Sequence, residues 1–482
     1  MPEIRPVGYV IGLLVTVLGA TMLVPMTVDY ALGNGNGQAF LEASLISVLT
    51  GYALAKSCQN RAAGGLNNRQ AFLLTFLIWV ALPLFGSLPF IIGEPDVSLT
   101  DAYFEAVSGI TTTGSTVFVG LDDLPAGVNL WRGILNWLGG LGIAFIAMIF
   151  LPLMRIGGMQ FFRTEGFDTM GKIRPRAIDI AISLLKIYAV LTGICGLVYW
   201  LLGMTLLDAT VHAMATLSTG GFSPADASFG KYAGAAEYAG ALFMILGSLP
   251  FIRFVQMTGG SLRPLLEDAQ ARAFLSWLTI GIVAVVTYRL AVDGGAPELV
   301  MRQTLFNFVS VFSGTGFFSA DISGWGPFAI IVAAIVGMIG GCTSSTSSAL
   351  SVFRVQVLFA AIGTHIRLSH SPNRIAPIMY GGRRVEDDVV NQIILHMTSY
   401  VFLIGLMSLV LTFDGVDMTS AFFASWTSIG NIGFGVGAAV ARTGTMVDFS
   451  DLSKWIMILA MVMGRLGLLS VLLLVLPRFW RA

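Results

Sequence analysis

The sequence predicts an all-α polytopic membrane protein with four pseudo-symmetric helix–pore loop–helix repeats around one pore, preceded by two additional transmembrane helices. Three observations lead to this prediction. The chain of 482 residues is 55 % hydrophobic and only 11 % charged, whereas soluble domains are about 25 % charged. Its apolar runs are long enough to cross a bilayer. Four similar glycine-containing segments lie between these runs.

The apolar runs form the transmembrane part of the predicted fold. A bilayer core requires about 20 helical residues, and ten runs reach or approach that length. They comprise residues 7–27, 40–56, 71–92, 129–154, 178–203, 235–258, 273–292, 327–359, 389–413 and 453–477. The first run is longer than the apolar region of a signal peptide, and Glu3 and Arg5 cancel before it. We therefore interpret it as a retained helix.

Charged residues indicate the topology. When both termini are placed in the cytoplasm, most of the 27 Lys and Arg residues fall on the cytoplasmic side, as the positive-inside rule requires. Most of the 27 acidic residues fall outside. The formal net charge of zero therefore conceals a basic inner face and an acidic outer face. An acidic outer face attracts cations, although the topology signal alone also accounts for it.

The chain carries no signature of an enzyme. The motifs HExxH, GxxxxGK[ST] and GxSxG are absent, and each of them places the groups of a particular catalytic chemistry. Cys58, Cys195 and Cys342 lie far apart and form no ligand-spaced pair, so they indicate neither a disulfide framework nor a metal site. We predict a protein that is not an enzyme and that has no nucleic-acid partner.

The glycine-containing segments form an internal fourfold repeat. The first is SGITTTGSTVFVG at residues 108–120, and the others surround Gly221, Gly316 and Gly433. When these glycines are aligned with Gly114, small residues lie three and six positions before each, and an apolar residue lies four positions before. The pattern recurs about every 100 residues, as expected of a large repeated unit.

The same segments predict where the pore lies. The stretch before each glycine is apolar but too short to span, and so it suits a helix that enters the membrane and stops. Loop backbone at membrane depth is tolerated only inside protein or against water. We therefore expect the four loops to converge on one aqueous axis, where glycine permits positive φ and carbonyls replace an ion's hydration shell. An ordinary turn is the alternative for any single loop.

The repeats divide the chain into five parts. These are the two N-terminal helices at residues 1–64 and the pore repeats at residues 65–176, 177–270, 271–384 and 385–482.

The loops TTTGST, STGGFS, SGTGFF and GNIGFG, each set between helices, resemble those of the Trk/Ktr/HKT superfamily of potassium transporters. The two additional N-terminal helices resemble TrkH-type potassium uptake subunits most closely, and the resemblance covers essentially the whole chain. It implies uptake of K⁺ across the cytoplasmic (inner) membrane through a selectivity filter. The implied filter residues are Thr112, Thr113, Gly114, Thr219, Gly220, Gly221, Gly314, Thr315, Gly316, Asn431, Ile432 and Gly433.

The loop sequences also bear on the transported ion. In plant members of the superfamily, Ser in place of the first filter glycine accompanies a preference for sodium. This chain has glycine at all four positions, which implies K⁺, with Rb⁺ and Na⁺ as further candidate ions. Each loop contains only a short part of the potassium-channel filter signature TVGYG. We therefore expect weaker discrimination against Na⁺ than in a potassium channel.

The resemblance further implies a homodimer and a separate cytosolic nucleotide-binding regulatory subunit. The expected docking surface consists of the basic inner segments 155–176, 253–272 and 354–388. Contact of these segments with anionic membrane lipid is an alternative.

The eighth apolar run is interrupted by GGCTSSTSS at residues 340–348. Glycine has no side chain, and Ser and Thr hydroxyls replace missing helix hydrogen bonds. A tightly packed kink is one interpretation. The resemblance implies instead an intramembrane loop that gates the pore. Its residues are Gly340, Gly341, Cys342, Thr343, Ser344 and Ser345.

Arg465 lies about 13 residues into the last run, or roughly 20 Å along a helix. This depth is too great for its charge to reach the interface, so we expect Arg465 to face the pore or a partner. The resemblance implies that it protrudes beneath the filter as a barrier to cations. TrkH-type proteins commonly have Glu two residues later, where this chain has Gly467, and this departure bears on the barrier's strength.

A sodium- or proton-coupled secondary transporter is the second interpretation. Such a protein would show two related halves with a pair of broken helices, whereas four units in register favour a pore. Four further polar residues each have two candidate roles. For His212 a packing or hydrogen-bonded role is favoured over proton coupling, and for Glu105 a charge near the filter and an outer salt bridge are equally consistent. Asp226 and Asp321 either line the outer mouth or cap a turn.

Overall fold

The computed structural model describes residues 4–59, 67–145, 173–371, 373, 376–467 and 471. Seven helices in this part of the chain are long and apolar enough to cross a membrane, or eight if one bent pair is counted as a span. The predicted all-α polytopic membrane fold is confirmed. The inner ends of the fourth and tenth apolar runs, residues 146–154 and 468–477, lie largely outside the described residues.

The N-terminal helices pack against one another and against repeat 1, where the Gly127 N–H donates to Asp29 and the Phe40 ring contacts Trp131. Helix α1 (Arg5–Thr21) continues after a break at Met22 into α2 (Leu23–Leu32), and α3 (Gly37–Cys58) returns beside α1. The two helices cross at Gly12 and Gly51, where a methyl group on Gly12 would lie 2.5 Å from the Ala55 backbone nitrogen. Glycine at this crossing allows the helix backbones to approach closely.

Repeat 1 comprises α4 (Asn68–Gly86), α5 (Leu88–Ile92), the first pore helix α6 (Leu99–Ile110) and α7 (Ala126–Phe145). Repeat 2 comprises α8 (Ile173–Leu201), the second pore helix α9 (Leu206–Leu217), α10 (Ala235–Ser248), α11 (Phe251–Met257) and the short α12 (Arg263–Leu266). A 3₁₀ turn at Ser228–Tyr232 follows the second loop.

The prediction of one continuous span at residues 235–258 is wrong. Helices α10 and α11 meet at an angle of 91°. The break occurs at Leu249, whose ψ of 154° is extended. Pro250 follows it, and a proline disfavours helical geometry in the residue before it. Because proline also lacks the N–H that would continue the helix, a kink is expected here.

Repeat 3 comprises α13 (Ala269–Val292), the third pore helix α14 (Pro297–Ser313), a 3₁₀ turn at Ile322–Trp325, α15 (Gly326–Ile339) and α16 (Val352–His370). Repeat 4 comprises α17 (Asp387–Phe413), the fourth pore helix α18 (Met418–Gly430) and α19 (Asp451–Leu466). The predicted interruption of the eighth run is confirmed, because no helix covers residues 340–351.

A small antiparallel hairpin at the C-terminal end of repeat 3 was not predicted. Its strands are β1 (Met379–Tyr380) and β2 (Arg383–Arg384). Gly381 and Gly382 form the turn, with φ of +56° and +79°. Two consecutive residues with positive φ are typical of a type I′ hairpin turn. The two consecutive glycines therefore indicated a hairpin turn in the sequence. The strands themselves were too short to show an alternation of apolar and polar residues.

Capping residues begin the pore helices at equivalent positions. Ser98, Thr205 and Asp417 each lie 16 residues before the aligned glycine, and each side chain accepts a hydrogen bond of 3.1 Å from a backbone N–H three residues later. Such a cap satisfies a donor that the first helical turn leaves free. The third pore helix instead begins earlier, with Pro297 in its first turn, where a missing N–H is tolerated.

Substitution of Gly12 by Ala tests the close packing of α1 and α3. We expect Gly12→Ala to lower the stability of the purified protein by about 1–3 kcal/mol, because the methyl group must push two backbones apart. The apparent Tm in detergent measures the change. Gly193→Ala is the matched control, since Gly193 lies within α8 with no neighbouring atom within 4 Å of the added methyl group. Equal loss of stability in both variants would contradict the packing argument.

Candidate functional site

Each pore helix ends in the same hydrogen-bonded turn. In repeat 1 the N–H of Thr112 donates to the Gly109 carbonyl at 3.0 Å, and the N–H of Thr113 donates to the Ser108 carbonyl at 2.9 Å. In repeat 2 the N–H groups of Thr219 and Gly220 donate to the carbonyls of Thr216 and Ala215. In repeat 3 those of Gly314 and Thr315 donate to Val311 and Ser310, and in repeat 4 those of Asn431 and Ile432 donate to Ser428 and Thr427. These pairs of bonds define a Schellman motif. The small residue six positions before each glycine supplies one acceptor.

The backbone of the four loops is left-handed at two positions each. The aligned glycines have φ between 73° and 83°, and the residues two positions before them have φ between 48° and 72°. Among the latter, Thr112 and Thr219 are β-branched residues, for which positive φ is a rare and unfavourable conformation. Strained backbone persists only where surrounding contacts enforce it. The sequence analysis named Thr112 and Thr219 as filter residues and predicted positive φ for the glycines, but it did not predict the positive φ of these two threonines.

The four loops meet in a closed ring. A methyl group added to any of the four glycines would overlap the carbonyl oxygen of the residue before the glycine of the next repeat. These contacts join Gly114 to Gly220, Gly221 to Thr315, Gly316 to Ile432 and Gly433 to Thr113. The order runs from repeat 1 through repeats 2, 3 and 4 and returns to repeat 1. The loops therefore surround a common axis, and we call the four glycines the glycine ring.

A cavity lies on the outer side of the glycine ring. All four glycines line it, together with Ser115, Arg132, Asp226 and the segment Thr443–Met446. The glycines are half-buried, whereas the three residues before each of them are fully buried. The N–H of Met446 donates to the Thr116 carbonyl at 2.8 Å, which ties repeat 4 to repeat 1 at the rim. We call this space the outer cavity.

A buried ion pair braces the first two loops. The Nε of Arg132 lies 2.8 Å from Glu105 Oε1, and both side chains are almost fully buried. Glu105 also accepts hydrogen bonds from the Val117 N–H at 3.0 Å and the Thr116 hydroxyl at 2.8 Å. Of the two roles considered for Glu105, the structure shows the salt bridge. Arg132 was not singled out, because an arginine near the outer end of an apolar run also fits an interfacial position.

Arg132 extends this brace to repeat 2. Its Nη1 donates to the Ser223 carbonyl at 2.7 Å, two residues beyond Gly221. Its guanidinium group lies 4.3 Å from the centre of the Phe222 ring. Arginine forms such stacked contacts readily because its charge is delocalised and weakly hydrated. The same side chain therefore contacts the first loop through Glu105 and the second loop directly.

The structure also shows the surroundings of His212 in the second pore helix and of two acidic residues that follow the glycine loops. His212 is fully buried, with Nδ1 2.8 Å from the Asp208 carbonyl and Nε2 3.2 Å from the Ser223 hydroxyl. The predicted hydrogen-bonded role of His212 is confirmed. Asp226 lines the outer cavity, and Asp321 caps a turn by accepting from the Ser323 N–H at 2.8 Å.

An ion pair outside the membrane-spanning helices joins repeats 1 and 2. Lys231 Nζ lies 3.0 Å from Asp122 Oδ1. Partial burial opposes ionisation of Asp122, but the hydrogen bonds from Lys231 and from the Asp226 N–H, together with the positive charge of Lys231, outweigh it and lower the pKa of Asp122 below its ordinary value. Partial burial likewise opposes the charge of Lys231, and the neighbouring Asp122 and Asp208 carboxylates raise the pKa of Lys231. The pair therefore favours the charged forms of both residues at neutral pH.

The interruption at residues 340–351, which we call the serine-rich loop, contacts three of the four glycine loops from the other side. The Thr346 hydroxyl donates to the Leu217 carbonyl at 3.0 Å. The Ser347 hydroxyl donates to the Ser313 carbonyl, and the Ser348 hydroxyl donates to the Asn431 carbonyl at 2.9 Å. These contacts come from residues after the predicted set 340–345.

The predicted residues 340–345 anchor the serine-rich loop. The N–H of Cys342 donates to the Ser248 carbonyl at 3.0 Å, and the N–H of Thr343 donates to the Gln270 side chain at 2.8 Å. Gly340 has a φ of +72° at the start of the loop. The loop is thus held by α10 and α13 at one end while its centre reaches the glycine loops.

Arg465 contacts the remaining glycine loop. Its Nε donates to the Thr111 carbonyl, and its Nη2 donates to the carbonyl and the hydroxyl of Thr112. The serine-rich loop and Arg465 together therefore contact all four glycine loops on the side opposite the outer cavity. A second cavity lies here, lined by both. We call it the inner cavity.

A second fourfold pattern was overlooked in the sequence. LGGLG, LGSLP, IGGCT and MGRLG occur at residues 138–142, 246–250, 339–343 and 463–467. The shared glycines Gly139, Gly247 and Gly464 pack against the carbonyl four positions before the ring glycine of their own repeat. The serine-rich loop begins at the equivalent glycine of repeat 3. Arg465 therefore occupies the position held by Gly140, Ser248 and Gly341 in the other repeats.

The fold and the ring together define a multi-pass membrane transport protein, and comparison with known proteins identifies its family. Residues 36–481 match the TrkH family of cation transport proteins. The chain is 37 % identical over 479 residues to the Trk system potassium uptake protein TrkI of Halomonas elongata, covering 99 % of this chain and 97 % of that protein. It is 32 % identical over 485 residues to the Trk system potassium uptake protein TrkH of Escherichia coli K12, covering 99 % of each.

The crystal structure of the potassium transporter TrkH from Vibrio parahaemolyticus resembles this fold with a TM-score of 0.92 and 31 % identity, covering 99 % of this chain and 100 % of that one. The chain belongs to the TrkH family, whose members are transport proteins and not enzymes. The family predicted from the loop sequences is confirmed.

Removal of the charge on Arg132 tests the brace between the first two loops. We expect Arg132→Gln to destabilise the protein by about 3–5 kcal/mol, because Glu105 would remain buried without its partner. The double variant Glu105→Gln/Arg132→Gln should recover part of this loss, since neither charge is then left unpaired. Apparent Tm values for the wild type, Arg132→Gln, Glu105→Gln and the double variant measure the coupling between the two side chains. Additive losses would show that the two side chains act independently.

Proposed function

We propose that this protein mediates K⁺ uptake across the cytoplasmic (inner) membrane through a selectivity filter formed by the four glycine loops. The closed glycine ring is the observation that carries this proposal, because it brings four equivalent loops to one axis. The potassium uptake named for its relatives supports the choice of ion. The proposed filter residues are Thr112, Thr113, Gly114, Thr219, Gly220, Gly221, Gly314, Thr315, Gly316, Asn431, Ile432 and Gly433.

The physical basis of the proposal is electrostatic. Each pore helix ends at the ring, and the C-terminus of a helix carries a partial negative charge. Four such ends favour a cation at the axis. The loop carbonyls supply oxygen ligands in place of water. Because each loop has only one short run of candidate carbonyls, we expect Rb⁺ to substitute well for K⁺ and Na⁺ to be excluded incompletely.

We also propose that the serine-rich loop and Arg465 gate this pathway. The proposed gate residues are Gly340, Gly341, Cys342, Thr343, Ser344, Ser345 and Arg465. The contacts of Arg465 and of the adjoining part of the serine-rich loop support a closed state. Arg465 contacts one glycine loop, and the hydroxyls of Thr346, Ser347 and Ser348 contact the other three. Opening would require these hydrogen bonds to break together. The positive charge of Arg465 adds electrostatic repulsion of a cation that leaves the ring.

The assembly of the protein belongs to the same proposal. We expect a homodimer in the inner membrane, with a cytosolic nucleotide-binding regulatory subunit on its basic inner segments. The exposed hairpin residues Arg383 and Arg384 lie within the expected segment 354–388 and support docking there. In segment 253–272, Arg253 is paired with Asp268 at 2.7 Å, which weakens its contribution. Segment 155–176 lies mostly outside the described residues.

Gly114→Ser tests the filter. We expect this variant to take up less ⁸⁶Rb⁺ into proteoliposomes and to discriminate less between K⁺ and Na⁺ competitors. The side chain would overlap the Gly220 carbonyl, and a φ of +82° is unfavourable for serine,.

Gly120→Ser is the matched control for this experiment. Gly120 also has a positive φ, of +72°, but no atom lies within 4 Å of an added side chain. Unchanged competition by K⁺ and Na⁺ in Gly114→Ser would contradict the filter. Dependence of Rb⁺ uptake on a sodium or proton gradient would favour the coupled transporter instead.

Substitution of Arg465 tests the gate. We expect Arg465→Gln to raise Rb⁺ uptake several-fold, because both the charge barrier and the contacts with Thr111 and Thr112 are removed. Arg465→Lys keeps the charge but loses the forked hydrogen bonding of arginine. Uptake close to the wild-type level in the Lys variant would assign the effect to charge, and uptake close to that of the Gln variant would assign it to the contacts. Lower uptake in both variants would contradict a gating role.

A further inference from the structure

One position of the pore helices contacts the glycine loops in three of the four repeats. Glu105, His212 and Asn307 each lie nine residues before the ring glycine of their own repeat, and all three side chains are fully buried. Each hydrogen-bonds to its own loop two or three residues beyond that glycine, and we call this contact the loop tie. We propose that the three residues are positioning residues of the filter. This inference rests on the proposed function.

The loop tie has the same chemistry in repeats 1 and 3, an acceptor on the pore helix and a donor on the loop. In repeat 1 the carboxylate of Glu105 accepts from the Thr116 hydroxyl at 2.8 Å and from the Val117 N–H at 3.0 Å. In repeat 3 the Oδ1 of Asn307 accepts from the Ser319 N–H at 3.2 Å. A carboxylate and an amide therefore form equivalent contacts.

Repeat 2 forms the tie through an imidazole. The Asp208 carbonyl lies 2.8 Å from Nδ1 of His212. Because a carbonyl only accepts hydrogen bonds, Nδ1 carries a proton. In the neutral ring this leaves Nε2 as an acceptor for the Ser223 hydroxyl at 3.2 Å,. His212 therefore supplies an acceptor to its own loop, as Glu105 and Asn307 do.

Each of the three side chains is itself held in place. His212 donates to the carbonyl four residues earlier in its own helix, and the Nδ2 of Asn307 donates likewise to the Gln303 carbonyl at 2.8 Å. Glu105 is held by its ion pair with Arg132. Supporting hydrogen bonds of this kind fix the orientation of a side chain that organises a binding site. The loop is therefore tied to a side chain that does not turn freely.

The tie constrains each glycine loop on the side that the pore helix does not. The Schellman turn holds the residues before the ring glycine, and the loop tie holds the residues after it. A cage of carbonyl oxygens replaces the hydration shell of an ion. Oxygens held at both ends of a loop keep their spacing, whereas oxygens that move accommodate Na⁺ as well as K⁺. Loss of a tie should therefore weaken discrimination between the two ions.

Repeat 4 departs from this pattern. Ala424 occupies the equivalent position and has no polar side-chain atom, and Gly435 and Val436 stand where the other loops are tied. The Ser420 hydroxyl instead accepts from the Ala439 N–H at 3.0 Å, six residues beyond the ring glycine. Because this contact lies farther from the ring, we expect the fourth loop to constrain the ion less than the other three.

Variants of repeat 2 test the tie by ⁸⁶Rb⁺ uptake into proteoliposomes. The readout is a competition ratio, the Na⁺ concentration that halves uptake divided by the corresponding K⁺ concentration. We expect His212→Leu to lower this ratio about three- to tenfold, the range that corresponds to one hydrogen bond. Ser223→Ala removes the donor while leaving the pore helix intact, and it should have the same effect. The double variant should lower the ratio no further, since both changes break one bond.

Further substitutions separate positioning from folding. His212→Asn introduces the amide that repeat 3 has at this position, and its ratio should stay closer to the wild-type value than that of His212→Leu. Thr210→Val is the control, because the Thr210 hydroxyl donates to the Leu206 carbonyl of its own helix at 2.7 Å and not to a loop. Its ratio should be unchanged. Lower apparent Tm values with unchanged ratios in His212→Leu and Ser223→Ala would show a structural role only and overturn the proposal. If His212→Leu does not fold, Ser223→Ala decides.

The same assay separates this inference from the proposed function. If Gly114→Ser changes the competition ratio and Ser223→Ala does not, the loop tie is overturned and the filter remains. If the wild-type protein takes up no Rb⁺, both are overturned. Ser420→Ala in repeat 4 should lower the ratio less than Ser223→Ala, and an equal effect would contradict the distinction between the fourth loop and the other three.

Discussion

The contact between each ring glycine and the carbonyl of the next repeat is the constraint on which the rest of the structure depends. Non-helical backbone at membrane depth must be shielded from lipid, and four loops achieve this only by surrounding one another. The contact requires glycine because any Cβ would overlap an oxygen. It also requires each pore helix to end at the same depth, which the common Schellman turns and the three equivalent caps provide. The brace formed by Glu105 and Arg132 then holds the first two loops in place.

The loops have different environments on their two sides. The outer side opens into a cavity lined by all four glycines. On the inner side, the hydroxyls of three consecutive residues, Thr346, Ser347 and Ser348, reach three different repeats, and Arg465 reaches the fourth. This arrangement is possible because repeat 3 lacks a continuous second helix, which leaves backbone free to cross beneath the ring. One departure from fourfold symmetry therefore allows a single loop to contact three of the four repeats.

Much of this architecture could be predicted from the sequence. The glycine spacing and the small residues before each glycine predicted the four loops, and the loop sequences with the two additional N-terminal helices indicated the family. The bend at Pro250 was missed because hydropathy registers composition and not backbone direction. Arg132 was missed because its role depends on Glu105 and Ser223, which lie 27 and 91 residues away. The positive φ of Thr112 and Thr219 was missed because contacts around the ring outweigh the local preference of these residues.

The closed ring has a further consequence because all four of its contacts belong to one polypeptide. In an assembly of four identical chains, one codon change alters every contact around the axis at once. Here each of the four junctions is encoded separately, so natural variation can adjust one quarter of the ring while the other three retain their geometry. Ser115 illustrates this freedom, since the three equivalent positions hold Phe222, Phe317 and Phe434. Divergence among the repeats is therefore a means of fine adjustment that identical subunits lack.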